Sequence, residues 1–357
     1  MKKNRQEAMR IARLRRIMQE RGIDTLLVTQ HENVRYLTGF TGSAGSVLIG
    51  ASGRPVLITD FRYQEQAKAE TSGTKLLIQK KDHVSTIKAA ADLFDTDILW
   101  FDESSMTLDR LRALRKQKLR LRGMKDPVAE IRREKDAVEL TLIRRAIRRA
   151  EEAFCELRPR IRAGTTEQEL GLRLEMLIRE KGSRRAAFDI IVASGRNGAM
   201  PHASVSGRRL RAGDLVTFDF GAEADGYYSD ITRTVCVGRP NTRQREVHGL
   251  VLHAQQNAIH AVRPGIACAD IDRAARATIE KAGHGKQFGH ATGHGIGLMV
   301  HEAPTIAALS KVTIREGMVF TVEPGVYIPG WGGVRIEDMV LVTKNGHRVL
   351  TSLPREL

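Results

Sequence analysis

The chain has 357 residues, 41% apolar and 28% charged, with a formal net charge of +16. That length suits two ordinary domains with substantial cores, and no window nears the roughly 18 uninterrupted apolar residues of a membrane helix. Three cysteines, Cys155, Cys236 and Cys268, lack CxxC spacing, which argues against a disulfide scaffold and fits a reducing cytosol.

The opening MKKNRQEAMRIARLRR is basic but has no apolar segment of a secretory signal, so a cytoplasmic protein is expected. Residues 4–21 predict an amphipathic helix, with Met9, Ile11, Leu14 and Ile17 at helical spacing. IDTLLVT (23–29) predicts a strand, and SVLIG (46–50) with PVLITD (55–60) predicts a strand pair joined by a turn. Helical 61–70, strand-like 75–79, helical 84–94 and strand-like 97–102 follow, an alternation that predicts an α/β domain over 1–125. This third holds 24 basic and 14 acidic residues, with a dense run from Arg110, Arg112, Arg115 and Lys116 to Lys118, Arg120 and Arg122. Such a run can mark nucleic-acid binding. No aromatic residues interleave as on a stacking platform, so a solvated helix face is the preferred reading and nucleic acid is not an expected partner.

A charged stretch from Ala129 to Leu157 predicts one long helix that opens a second domain, 126–357. FDIIVASG, DLVTFDFG and YSDITRTV then read as strands, 242–262 and 268–282 as helices, and GMVFTVEPG and RIEDMVLVT as strands. This is an α+β pattern with antiparallel strands.

Four acids sit inside these strand-like segments: Asp219, Asp230, Glu323 and Glu337. Alternation puts each on a polar face whose reverse is apolar: Asp219 with Thr217, Asp230 with Tyr228, Thr232 and Thr234, Glu323 with Thr321, Glu337 with Arg335. Converging carboxylates repel, and burying them unpaired costs several kcal/mol. Two divalent cations would cancel that charge, so the pattern predicts a dinuclear centre. His294 lies in GHATGHGIGLMVHEAP, where glycines at 289, 293, 295 and 297 would let the backbone approach closely. There is no GxxxxGK, which argues against a phosphate loop. Oxygen ligands with one imidazole suit Mn²⁺, Co²⁺ or Zn²⁺.

The blocks IIVASGRNGAMPHA, DLVTFDFGAEADGYYSDITRTVCVG, FGHATGHGIGLMVHEAP and GMVFTVEPGVYIPGWGGVRIED, with NVRYLTGFTGSAG and ITDFRYQEQA further upstream, resemble the M24 or pita-bread metallopeptidases. The branch they resemble holds the Xaa-Pro dipeptidases (prolidases) and Xaa-Pro aminopeptidases (aminopeptidase P). The resemblance implies a creatinase-like α/β N-terminal domain and an α+β pita-bread catalytic domain with a curved antiparallel sheet. It implies two divalent ions, with Mn²⁺ first in expectation, held by Asp219, Asp230, His294, Glu323 and Glu337. Asp230 and Glu337 would be the bridging carboxylates. It further implies that His202 and His301 contact substrate or intermediate, that His290, Tyr327 and Arg335 bind the substrate end, and that Glu323 relays a proton. A metal-bridging hydroxide would attack the carbonyl before proline in short peptides, and the protein would be a homodimer. The competing reading is a metal-free binding or scaffold protein of the same fold, associated with nucleic acid through the basic N-terminal third.

Overall fold

The computed structural model describes residues 2–96 and 98–357, with side chains from Arg5 onward, so the strand expected at 97–102 is seen from Ile98 and Asp97 lies outside the described residues. The helix Lys2–Glu20 buries Ile11, Leu14 and Met18, while Met9 is 53% exposed. The inward stripe is therefore displaced from the expected one, with Met18 taking the place of Ile17.

The chain folds as two compact units, Met1–Arg132 and Arg133–Leu357. The first unit holds a six-stranded mixed sheet of β1 (Thr25–Val28), β2 (Ser46–Gly50), β3 (Val56–Thr59), β4 (Lys75–Ile78), β5 (Ile98–Asp102) and β6 (Arg120–Met124). Their order is β4-β3-β2-β1-β5-β6. β2 pairs antiparallel with β1 and β3, and the outer pairings are parallel, as expected of an α/β unit. Leu27, Leu48, Ile58, Ile87, Leu99 and Leu114 fill one core, each contributing about 1.5–3 kcal/mol by leaving water. Three elements lie outside the ranges read from the sequence, the helix His31–Thr38, the helix Leu108–Arg115 and the strand β6. The second carries the start of the basic run, and Arg122 on β6 lies 5.4 Å over the Trp100 ring.

The long helix expected from Ala129 to Leu157 is two helices, Pro127–Arg132 and Ala137–Leu157. Between them Glu134 bridges Met318 and the Lys135 N–H donates to Gly317 O at 2.8 Å. Asp136 then caps the second helix in a capping box with Glu139, which gives the backbone donors a local partner and starts a new helix.

The second unit is antiparallel throughout. β7 (Ile191–Ser194), β8 (Leu215–Phe220), β9 (Glu223–Ala224), β10 (Tyr227–Tyr228) and β11 (Ile231–Cys236) come first. β12 (Gly293–Gly295), β13 (Glu302–Ile306), β14 (Val319–Val322), β15 (Gly325–Ile328), β16 (Gly332–Arg335), β17 (Asp338–Thr343) and β18 (Gly346–Val349) follow. They form a three-stranded sheet β11-β8-β7, a five-stranded sheet β13-β12-β14-β17-β18, and two ribbons. Phe218 and Phe220, on the reverse of Asp219, pack on Phe154 of the helix Ala137–Leu157, with ring centroids 5.3 and 4.9 Å apart. The helices Thr242–Ala261 and Cys268–Lys281 supply Val251, Ile271 and Ile279 to a core with Phe320, Val322 and Ile336. Helices thus cover the apolar face, and the acids are left on the other.

His248, on the helix Thr242–Ala261, is 5% exposed, and its Nε2 has no hydrogen-bond partner among the described residues. Burial lowers its pKa below the usual 6.5. The folded chain keeps it neutral while the unfolded chain protonates it, so its contribution is whole above about 6.5 and is lost as pH falls. Urea unfolding between pH 8 and 5 is expected to show stability declining over that window, less steeply in His248→Gln. An identical slope in the two proteins refutes the assignment.

Candidate metal centre

Every acid singled out in the sequence reaches one region, but three of them stand outside regular strand. Asp219 lies within β8, opposite Thr232 of β11. Asp230 precedes the first residue of β11, Glu323 follows the last of β14, and Glu337 occupies the link between β16 and β17. Backbone bonds fix these link positions. The Glu323 N–H donates to Thr292 O at 2.8 Å, and the Glu337 N–H to Thr232 O at 3.1 Å.

His294 on β12 is the hub. Its Nε2 lies 3.5 Å from Asp230 Oδ2 and 3.2 Å from Glu323 Oε1. Ligand-capable atoms of Asp230, His294 and Glu337 all fall within 4.8 Å of one another. Gly293 lets this strand in, because a Cβ there would stand 1.8 Å from Thr321 O. Gly289 has nothing within 4 Å of its Cβ position, so close approach does not explain it, contrary to the expectation for all four glycines. Thr321 Oγ1 accepts the His294 N–H at 3.1 Å and donates to Glu323 Oε1 at 3.0 Å. Thr232 Oγ1 donates to Glu337 Oε2 at 2.7 Å and accepts from Arg335 Nε at 3.1 Å.

The electrostatics are unfavourable for a carboxylate cluster alone. Burial, then repulsion from Asp219, holds the Asp230 carboxyl well above its ordinary range. Burial, then Asp230, does the same to Glu337. Burial also raises Asp219, against the pull of Arg335. Burial opposes charge on His294, but Glu323 and Asp230 outweigh it and push its pKa up to about 9. Glu323 moves the other way: burial raises it, and the His294 hydrogen bond with its charge brings it below the usual value.

Asp219 Oδ1 and Glu337 Oε1 are buried with no hydrogen-bond partner among the described residues. Buried acceptors are normally satisfied. Anionic oxygens with free lone pairs beside one imidazole are the donor set that hard or borderline divalent cations take. The residues present therefore fit the divalent ions expected.

Beside this cluster, Arg335 is 4% exposed and donates to Asp219 Oδ2 at 2.7 Å, Tyr327 Oη at 2.8 Å and Pro201 O at 3.2 Å. Tyr327 Oη also lies 2.9 Å from His290 Nε2, and His290 Nδ1 lies 2.8 Å from Ala291 O. Since Arg335 donates to Tyr327, the phenol proton is free to point at His290 Nε2, leaving Nδ1–H for the carbonyl. Burial lowers the His290 pKa, in keeping with that neutral ring, and raises Tyr327 to about 12. The exposed His301 ring stands 4.2 Å from that of His294, and partial burial with the His294 charge lowers its pKa. His202 is exposed and adds in a small way to the depression of both His290 and His301.

Sequence reasoning missed a second carboxylate system. Glu167 is fully buried and accepts from Ser194 N–H (2.7 Å), Ser194 Oγ (2.6 Å), Asn197 Nδ2 (3.1 Å) and Ser206 N–H (3.2 Å). It pins the segment 194–206 that carries His202. The available signal was the Thr166/Glu169 capping box, which opens the overlooked helix Glu167–Glu180.

Residues 141–344 match the metallopeptidase family M24, and residues 10–133 match the creatinase/prolidase N-terminal domain. The chain belongs to metallopeptidase family M24. A Xaa-Pro dipeptidase of Pyrococcus horikoshii is 37% identical to this M24 peptidase over 98% of both chains. Two solved structures resemble it: a Xaa-Pro dipeptidase from Bacillus anthracis (TM-score 0.95, 39% identity, 98% of this chain and 99% of that one) and an X-Pro aminopeptidase from Thermotoga maritima (TM-score 0.88, 38%, 94% and 98%). The fold of this M24 peptidase is thus a creatinase-type α/β domain followed by a pita-bread α+β domain, its antiparallel strands divided between two sheets and two ribbons.

Proposed function

We propose that the chain hydrolyses the X–Pro bond of Xaa-Pro dipeptides or of peptide N-termini, with two divalent cations, Mn²⁺ first among them, held by Asp219, Asp230, His294, Glu323 and Glu337. The observation that carries this reading is the pair of buried, unpartnered oxygens, Asp219 Oδ1 and Glu337 Oε1, within a cluster whose Asp230, His294 and Glu337 atoms already converge. A scaffold has no use for such repulsion. When bound, the cations supply Lewis acidity and bring the pKa of a water towards neutrality. The names of the relatives supply the substrate class.

The chain's own residues divide the remaining work. Asp219, Asp230, Glu323 and Glu337 would hold the cations through carboxylate oxygens and His294 through its imidazole. His294, set between Asp230 and Glu323, would have to give up any proton on Nε2 to serve as a ligand. The exposed imidazole of His301, with His202, donates to the developing oxyanion, an interaction worth several kcal/mol at such sites. Glu323 carries a proton to the departing imino nitrogen. His290, Tyr327 and Arg335 form one hydrogen-bonded row that receives the substrate end. An X–Pro bond is a tertiary amide without N–H, so a site that recognises the ring and asks for no amide donor selects it. We further propose a homodimer in the cytoplasm. The three cysteines are free, and no helix of the described residues is long and apolar enough to cross a membrane.

The test is a substrate-length series after chelation and reconstitution. The stripped protein is expected to be inactive and to recover with Mn²⁺. It should cleave Xaa-Pro well above Xaa-Ala, and the ratio of Xaa-Pro to Xaa-Pro-Yaa turnover assigns dipeptidase or aminopeptidase. Undiminished activity after complete chelation, or equal turnover of Xaa-Ala, sinks the reading.

A further inference from the structure

Behind the segment that bears His290 lies an ion pair with no part in the chemistry above. Asp272 and Arg276 stand one turn apart on the helix Cys268–Lys281. Asp272 is 1% exposed. Arg276 Nε donates to Asp272 Oδ2 and Nη2 to Oδ1, both at 2.9 Å. The same guanidinium directs two further donors at the segment 288–292: Nη1 to Phe288 O at 2.9 Å and Nη2 to His290 O at 3.0 Å. Its plane also covers the Phe288 ring at 4.3 Å. From the other side, Thr292 Oγ1 donates to Asp272 Oδ1 at 2.7 Å. One ion pair therefore grips residues 288, 290 and 292 of a five-residue segment. Ser, Lys or a lone carboxylate could not do this, since only the guanidinium fork offers donors in two directions at fixed angles.

The far side of that segment faces the site. His290 Nε2 meets Tyr327 Oη, and Thr292 O accepts the Glu323 N–H. We infer that Arg276, locked by Asp272, is a positioning residue for His290, setting from behind the ring that the proline-peptidase reading gives to substrate. The Arg276 side chain bonds to Asp272, Phe288 O and His290 O, and among the described residues to none of the ligand carboxylates. It acts by fixing two carbonyls on either side of Gly289, whose Cβ position faces open space.

The inference rests on the proposed function for its substrate, so its test has one readout that does not. In the metal-loaded, full-length protein, Arg276→Gln is expected to speed amide hydrogen exchange across residues 288–292 at least about tenfold, with bound metal and exchange in the helix Ala137–Leu157 unchanged. On a Xaa-Pro dipeptide the same variant should raise KM about 10- to 100-fold with a smaller change in kcat, as misplacement of a binding group does. Arg276→Lys should fail to rescue it. In a His290→Ala background, Arg276→Gln should have no further effect on KM, because the two act through one ring. If Arg276→Gln does not fold, Asp272→Asn, which keeps an acceptor and removes the charge, is measured in its place. Unchanged exchange, loss of metal, or an undiminished Arg276 effect in the His290→Ala background overturns the inference. A parent enzyme that cleaves no Xaa-Pro bond overturns the proposed function instead, and the exchange result still decides the clamp.

Discussion

Asp230→Asn is expected to reduce hydrolysis of a Xaa-Pro dipeptide by at least about 10³-fold, since changes around a metal ligand alone cost roughly 10- to 100-fold. It should also leave the metal-free protein more stable than the metal-free parent. The two effects have one cause. Asp230 is 5% exposed, lies 3.5 Å from His294 Nε2, and is held well above its ordinary pKa by burial and by Asp219. Without cations its charge opposes the fold, and an amide of the same shape relieves that opposition. In the proposed centre the same charge would hold the cations. Metal content by mass spectrometry, kcat/KM, and melting curves with and without chelator separate the outcomes. A variant that keeps its metal and activity, or whose metal-free form melts well below the metal-free parent, refutes the assigned role.

Arg335→Met is expected to destabilise the metal-free protein by about 3–5 kcal/mol, the usual result of removing one partner from a buried ion pair. Arg335 and Asp219 side chains are 5% and 15% exposed. The guanidinium serves four acceptors: Thr232 Oγ1, Pro201 O, Tyr327 Oη and Asp219 Oδ2. Methionine fills much of the volume but leaves Asp219 without its cation and Tyr327 without a donor. Added metal should restore part of the loss, because Asp219 regains a positive neighbour. Arg335→Lys should recover little, since one ammonium cannot reach four acceptors in a plane. Denaturant titrations at zero and saturating Mn²⁺ give both numbers. An Arg335→Met protein within about 1 kcal/mol of the parent without metal would falsify the account of this pair.

The candidate centre was legible because polar residues in apolar strands are conspicuous. Alternation placed Thr217, Thr232, Thr234 and Thr321 with the acids, and Thr232 and Thr321 do hydrogen-bond to Glu337 and Glu323. Alternation could not say that Asp230, Glu323 and Glu337 lie at strand ends, because a break in a ladder depends on which partner continues. Nor could it show that Arg335 joins Tyr327 to Asp219, a convergence of β8, β15 and β16. The charged stretch after Pro127 read as one helix because no glycine or proline interrupts it between Val128 and Leu157. The break is made by bonds to residues 317 and 318, far along the chain. Asp272 and Arg276 were equally opaque: an acid and a base four apart on a helix read as a solvated pair. Their inward aim is set by the segment folded against them.

The partnerless oxygens of Asp219 and Glu337 also bear on the life of the polypeptide after synthesis. A newly made copy that has not met its ions carries a built-in penalty, and by mass action each ion bound lifts the folded population. Copies that stay empty are the ones quality-control proteases would clear first. Abundance of the enzyme in a cell would then follow the supply of its cation, with no dedicated sensor required.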